Sequence, residues 1–161
     1  MKALLAVLCC LVMARHVHAA VVVVRHCEPD PDRAQALTAK GMEQAKATAA
    51  ALKGYAFTRI ICTSHIRTYE TAKIIRDTLG LAVKIENDDR FNQDRDDAPA
   101  WVSALKMLVM RDPKADVLLV SHAPVLGALF TADKVDASID YGAATAITVG
   151  REGLVYRALK R

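Results

Sequence analysis

The chain has 161 residues, of which 53% are hydrophobic, and its formal net charge is +4 at pH 7. This length suits one domain with a sizeable core. The basic residues are dispersed and only 5% of the residues are aromatic, so we expect no nucleic-acid partner, because such a surface needs clustered positive charge and stacking side chains.

The first residues have the pattern of a secretory signal peptide. Lys2 gives a charged start, an apolar run covers residues 3–14, and a small-residue cleavage site ends at Ala19. The apolar run is too short to span a bilayer comfortably, which takes about 20 residues. We therefore predict a signal peptide at residues 1–19 and a single domain at residues 20–161. The domain would be periplasmic or secreted, with no stable membrane insertion after signal cleavage.

The rest of the chain alternates strand patterns with helix patterns. Strands are expected at residues 21–24, 59–63, 82–85, 117–120, 144–149 and 154–158. Helices are expected at residues 38–53 and 67–79, around residues 101–108 and directly after residue 122, with a polar loop at residues 86–97. The last two strands read as a hairpin. This order predicts an α/β fold, a three-layer α/β/α sandwich whose sheet is mostly parallel with an antiparallel addition.

The apolar spacing of the first two helices predicts the faces that pack on the sheet. In the first helix these are Met42, Ala45, Ala49 and Leu52; in the second they are Tyr69, Ala72, Ile75 and Leu79.

Basic side chains follow three of the predicted strands. They are Arg25 and His26, then His65 and Arg67, and finally His122. Parallel sheets place their chemistry beyond the carboxyl ends of the strands, so these groups are expected at one edge. Arginine has a planar fork of donors that matches phosphate oxygens, and a neutral imidazole is a nucleophile toward phosphorus. The pattern therefore predicts phosphoryl chemistry. For His65 two roles are equally expected: a ligand of the phosphate, or a loop residue that lines the entrance of the site.

Two cysteines follow the predicted leader, Cys27 and Cys62, both at strand ends. In an oxidising compartment they could pair; alternatively, Cys62 is a small buried hydrophobe and Cys27 occupies a loop. A metal site made of these cysteines with His26, His65 and His122 is a further alternative. Its spacings match no compact ligand motif, and the neighbouring arginines would repel a cation. We expect no metal and no cofactor.

Four short motifs occur in order and in register along the chain. Their residues are Arg25, His26, Cys27 and Glu28; Leu37, Thr38, Gly41, Gln44 and Ala45; Ser64, Arg67, Thr71 and Ala72; and Val120, Ser121 and His122. Across nearly the whole mature chain these motifs resemble the histidine phosphatase superfamily, also called phosphoglycerate-mutase-like. The resemblance implies that His26 is phosphorylated during turnover and that Arg25, Arg67 and His122 enclose and bind the phosphoryl group.

The sequence departs from this family at two places. Cys27 stands where the family usually has glycine, beside the nucleophile. Many members also have a glutamate as general acid where this chain has Phe91, Asn92 and Gln93, and an amide cannot supply a proton as a carboxylic acid does. Asp94 is predicted to substitute as a catalytic acid because it is adjacent, with Asp89 and Glu28 as alternatives.

These observations predict an exported, metal-independent phosphomonoesterase or phosphoramidate hydrolase that acts through a phosphohistidine intermediate on His26. Its substrate would be a phosphorylated small molecule, glycan or protein, bulky or with a good leaving group. Export argues against mutase activity, which needs a cytosolic metabolite and exclusion of water. The alternative is a catalytically impaired phosphate- or phosphoester-binding protein of the same fold.

Overall fold

The computed structural model describes residues 19–111 and 115–161. Nearly all of the predicted signal peptide therefore lies outside the described residues, and its cleavage stays a prediction. Within the described ranges, no helix is both long and apolar enough to cross a membrane.

A six-stranded sheet forms the middle layer. Its strands are β1 (Val21–Arg25), β2 (Phe57–Cys62), β3 (Ile85–Asn87), β4 (Asp116–Ser121), β5 (Ala144–Gly150) and β6 (Gly153–Leu159). They are arranged in the order β3-β2-β4-β1-β5-β6. The first four in that order are parallel, whereas β5 runs antiparallel to β1 and β6 antiparallel to β5. The predicted parallel sheet with an antiparallel addition is confirmed.

The described residues form four α-helices, which cover the two faces of the sheet. They are α1 (Ala39–Ala51), α2 (Ile66–Thr78), α3 (Ala98–Arg111) and α4 (Ala123–Ala132). Thr38 caps α1 by accepting a hydrogen bond of 2.9 Å from the amide of Gly41 on its side-chain oxygen.

The valines of β1 pack into two hydrophobic clusters, one on each face of the sheet. Val21 and Val23 lie in a cluster with the apolar side chains of α3 and α4. Val22 and Val24 lie in a second cluster, with those of α1 and α2. Successive side chains of a strand point to opposite faces, so a continuous apolar run is what a strand covered on both sides requires. The three-layer α/β/α sandwich is therefore confirmed.

The predicted inward faces of α1 and α2 are wrong at one position each. Met42 is 37% exposed and Tyr69 is 44% exposed. In α1 the residue before Met42, Gly41, is buried in its place. A Cβ added to Gly41 would lie 2.3 Å from the carbonyl oxygen of Glu28. Only glycine lets this helix approach the segment after β1 so closely, and this approach turns Met42 outward.

The third strand is also displaced from its prediction, since pairing with β2 begins only at Ile85 and extends to Asn87. Leu81 and Val83 pack against the core as partly buried side chains, but the backbone of residues 81–84 does not join the sheet. The alternating apolar pattern at residues 81–85 thus reflects packing rather than strand pairing. The predicted polar loop that follows contains two short 3-10 helices, Asp89–Phe91 and Gln93–Arg95.

Candidate active site

The ends of β1 and β4 bring two histidines together. Arg25 pairs in register with Ser121, and the amide of His26 donates a hydrogen bond of 2.9 Å to the carbonyl oxygen of Ser121. His26 and His122 therefore leave neighbouring parallel strands at the same level. Their ring centroids are 5.3 Å apart, in an edge-to-face arrangement.

The tautomer of His26 follows from its hydrogen bond. Its Nδ1 lies 2.8 Å from the carbonyl oxygen of Cys27, and because a carbonyl only accepts, Nδ1 carries the proton. In the neutral ring, Nε2 then keeps its lone pair. Burial lowers the pKa of His26 to about 4, the charges of Arg67 and Arg25 add to this, and the hydrogen bond to Cys27 opposes it. His26 is thus a neutral nitrogen nucleophile at physiological pH.

His122 is held between a hydroxyl and a guanidinium. Its Nε2 lies 3.0 Å from Oγ1 of Thr63, and its Nδ1 lies 3.5 Å from Nη2 of Arg67. Arginine only donates, so this contact favours a lone pair on Nδ1 and a proton on Nε2. Burial first, and then the charge of Arg67, lowers the pKa of His122 to about 2. His122 is therefore neutral at physiological pH.

Two arginines supply the positive charge of the pocket. Arg67 lies in the first turn of α2 and is only 7% exposed. Its guanidinium is therefore not a solvated cation on the helix surface. Arg25 stacks on the ring of Tyr141, with 3.8 Å from its guanidinium carbon to the ring centroid. It donates a hydrogen bond of 2.9 Å to the carbonyl oxygen of Ile139. Within the described residues, its buried Nε has no hydrogen-bond partner.

Anion binding is the chemistry that this arrangement supports. The pocket joins two guanidinium groups, and α2 and α4 begin directly after His65 and His122. Helix N-termini carry partial positive charge and favour anions. A phosphoryl group bound there would have Nε2 of His26 available as a nucleophile. Arg25, His26, Arg67 and His122, which the sequence predicted as one site, are thus brought together.

Cys27 ties the nucleophile segment to α2. Its amide donates a hydrogen bond of 3.0 Å to Oγ1 of Thr71, and that hydroxyl donates one of 2.7 Å to the carbonyl oxygen of Arg67. The thiol is buried, and burial raises its pKa to about 11. A Cβ built on Gly142 would lie 3.1 Å from this sulfur, so the larger side chain beside His26 is accommodated by a glycine opposite it.

Cys27 and Cys62, the two cysteines among the described residues, are both free thiols. Cys62 lies in the core beneath α1 and α2, whereas Cys27 belongs to a separate small cluster with Leu37 and Ala45. Cys27 occupies a loop, as one of the alternatives expected, and its side chain there is buried. The part of the chain that the structure describes contains no group of three His, Cys, Asp or Glu side chains arranged to hold a metal ion.

The acidic candidates lie in different surroundings. Asp94 is bonded to His65, with 3.0 Å between Oδ2 and Nε2, and its side chain is 62% exposed. Glu28 forms an ion pair of 2.7 Å with Lys40, and Asp89 accepts a hydrogen bond of 2.8 Å from the amide of Ser64. Asp94 is thus connected to the pocket through an imidazole.

Sequence reasoning missed two residues of this site, Tyr141 and Thr63. Tyr141 lies in the segment before β5, far along the chain from Arg25 and His26, and its ring faces the guanidinium of one and the imidazole of the other. Thr63 follows β2 and reaches His122. A hydroxyl directly after a buried strand was the available signal for Thr63; no motif pointed to Tyr141.

Known proteins share this sequence pattern and this fold. Residues 14–93 match the histidine phosphatase superfamily (branch 1). The structure is similar to the protein histidine phosphatase SixA complexed with tungstate, at 21% identity and a TM-score of 0.74, covering 88% of this chain and 96% of that chain. No curated protein matches this chain by sequence.

Two further solved structures share the fold. The α-ribazole phosphatase from Shigella flexneri is 15% identical with a TM-score of 0.70, covering 88% of this chain and 96% of that chain. The mycobacterial glucosyl-3-phosphoglycerate phosphatase is 18% identical with a TM-score of 0.65, covering 88% of this chain and 97% of that chain. The matched segment contains His26 and Arg67, and the shared fold extends to the strand that carries His122, so the chain belongs to the histidine phosphatase superfamily.

Proposed function

We propose that this protein is an exported, metal-independent phosphatase that hydrolyses a phosphomonoester or phosphoramidate through a phosphohistidine on His26. One observation carries the proposal: the hydrogen bond from Nδ1 to the carbonyl of Cys27 leaves Nε2 as the lone-pair nitrogen, next to two buried or stacked guanidinium groups. A nucleophile and a matched anion site are the two requirements of phosphoryl transfer to an imidazole.

The proposed reaction has two displacements. Nε2 of His26 bonds to phosphorus while the bond from phosphorus to the leaving atom breaks, and the leaving atom keeps that electron pair and takes up a proton. Water then attacks phosphorus, the P–N bond breaks, and inorganic phosphate is released. Arg25, Arg67 and the imidazole of His122 meet the charge on the three equatorial oxygens. The two guanidinium groups supply the positive charge that a metal ion provides in other phosphatases.

The proposed substrates are bulky phosphorylated molecules or those with good leaving groups. An amide pair, Asn92 and Gln93, stands where many members of this superfamily have a glutamic acid, and this favours leaving groups that need less protonation. The similarity to a protein histidine phosphatase supports a phosphorylated protein as one candidate. A glycan or small-molecule phosphate is another, in keeping with the similar α-ribazole and glucosyl-3-phosphoglycerate phosphatases.

The alternative is a phosphate- or phosphoester-binding protein that keeps the pocket without turnover. It is favoured by the same amide pair, because an amide cannot supply a proton as a carboxylic acid does, and by the 62% exposure of the Asp94 side chain, which faces solvent more than the pocket.

The test compares the purified protein with a His26→Ala variant, in chelator, on an aryl phosphate and a phosphoramidate. We expect phosphate release by the wild type and a loss of at least about 10³-fold in the variant, because the nucleophile is absent. Rapid quenching at alkaline pH with a labelled donor should trap label on His26. Release that persists in the variant contradicts the proposal. Binding of inorganic phosphate with no release from either donor favours the binding protein.

A further inference from the structure

We propose that His65 is the catalytic acid that protonates the leaving atom, and that Asp94 positions it. This inference rests on the proposed phosphatase activity. In this role, an imidazole and carboxylate pair takes the place of the glutamic acid that many members of the superfamily have. His65 comes from the start of α2, and Asp94 comes from the loop before α3.

The hydrogen bonds of His65 define its protonation. Its Nε2 lies 3.0 Å from Oδ1 of Asn92 and 3.0 Å from Oδ2 of Asp94. Both partners are acceptors, so Nε2 carries a proton. Nδ1 is then the ring nitrogen that gains or loses a proton during a reaction. An imidazole oriented by a carboxylate at one nitrogen and reactive at the other is a recurrent arrangement in acid–base catalysis.

The position of His65 places it within the pocket. Its ring packs edge-to-face on His122, with centroids 4.9 Å apart, while His26 packs on His122 at 5.3 Å. A phosphoryl group that contacts His122 therefore has an imidazole from each of two other elements close by. A positive charge on His65 lowers the pKa of both His26 and His122, which is a further sign of this proximity.

Asp94 is the acidic partner of this ring, with 3.0 Å between its Oδ2 and Nε2 of His65. A phosphoryl group bound against His122 would add negative charge on the other side of the ring. The imidazole of His65 thus lies between a carboxylate and the place where the leaving atom would be.

The proton balance closes over the two steps. As the bond from phosphorus to the leaving atom breaks, Nδ1 of His65 gives its proton to that atom, and the ring becomes neutral with Nε2–H still bonded to Asp94. In the second step Nδ1 accepts a proton from the attacking water as its oxygen bonds to phosphorus and the P–N bond breaks. His65 ends protonated, as it began.

Leaving-group dependence tests this assignment. We would measure kcat/KM of the wild type and of His65→Asn with an alkyl phosphate and with an activated aryl phosphate whose leaving group needs no proton. Asparagine is a favourable helix N-cap, so α2 keeps its start. We expect a loss of about 100-fold on the alkyl phosphate and less than about 3-fold on the aryl phosphate. Asp94→Asn should shift the same ratio about 10-fold, because asparagine still accepts the hydrogen bond from Nε2 but no longer favours a positive charge on the ring.

Several results would overturn the assignment. Equal losses on both substrates would make His65 a structural support of His122. A larger change of the ratio in Asp94→Asn than in His65→Asn would make Asp94 itself the acid. A changed ratio in Tyr141→Phe or Glu28→Gln, with none in His65→Asn, would move the role to that residue. His65→Gln serves as a second variant if the first does not fold. A wild type inactive on both substrates refutes the phosphatase activity instead.

Discussion

Acidification should destabilise this protein through His26, by an amount that its pKa sets. The pKa of His26 is lowered from the ordinary value of 6.5 to about 4 by burial, and its side chain is almost inaccessible, with the residue 5% exposed. Between these two values the unfolded chain binds a proton that the folded protein does not. Stability contributed by neutral His26 is therefore intact above pH 6.5 and is lost progressively as the pH falls toward 4.

The size of this effect follows from the two pKa values. The difference between the pKa of His26 in the unfolded chain and in the folded protein corresponds to about 2 kcal/mol of lost stability at pH 5. At pH 7 it corresponds to roughly 0.2 kcal/mol. The assay is urea unfolding of the wild type and of His26→Asn at pH 7, 6 and 5, in a buffer free of phosphate. Asparagine stays neutral and keeps a donor for the carbonyl of Cys27.

At each pH, the free energy of unfolding of the variant is subtracted from that of the wild type. This subtraction removes the contribution of the carboxylates, which both proteins share. We expect the difference in free energy of unfolding to change by about 2 kcal/mol from pH 7 to pH 5, to the disadvantage of the wild type. A difference that stays constant within about 0.5 kcal/mol would show that folded His26 titrates at its ordinary pKa, and the reasoning from burial would be refuted.

Two further outcomes are expected. Gly142→Ala should lose about 2 kcal/mol or more of stability in thermal unfolding, because its φ is 71° and the new Cβ would meet Oγ1 of Thr48 at 3.0 Å and the sulfur of Cys27 at 3.1 Å. Gly54→Ala is the matched control, since its φ is 107° with nothing within 4 Å of the Cβ; an equal loss in both would show that packing against Cys27 contributes nothing. Mass spectrometry of the full chain made in an exporting host should find Ala20 as the first residue in the periplasm or medium, and an intact N-terminus in the cytoplasm would refute export.

The parts of the fold that the sequence predicted well are those with a simple physical pattern. β1 and β4 are buried on both faces, so each appears as a continuous apolar run, and the basic residues that follow them mark the strand ends. Since parallel strands share one carboxyl edge, Arg25, His26 and His122 could be grouped before any coordinates.

Other parts of the site depend on contacts that no local pattern records. Asp94 meets His65 although the two are 29 positions apart in the sequence, and the polar loop that contains Asp94 has no periodicity from which its course could be predicted. On α2 the inward face near the pocket is made of Thr68 and Thr71, whose hydroxyls are satisfied by hydrogen bonds. A search for apolar spacing selects Tyr69 instead, since it counts hydrophobicity and not satisfied polar groups.

The place of β1 in the sheet also governs when a competent site can exist. β1 is the first strand of the sheet in chain order, yet its two neighbours are β4 and β5, which begin at Asp116 and Ala144. During synthesis both edges of the nucleophile strand stay unpaired until more than half of the chain has followed it. Assembly of the pocket is therefore a late event in the synthesis of the chain. An incomplete chain has no pocket, which is compatible with the proposed export of the protein before it folds.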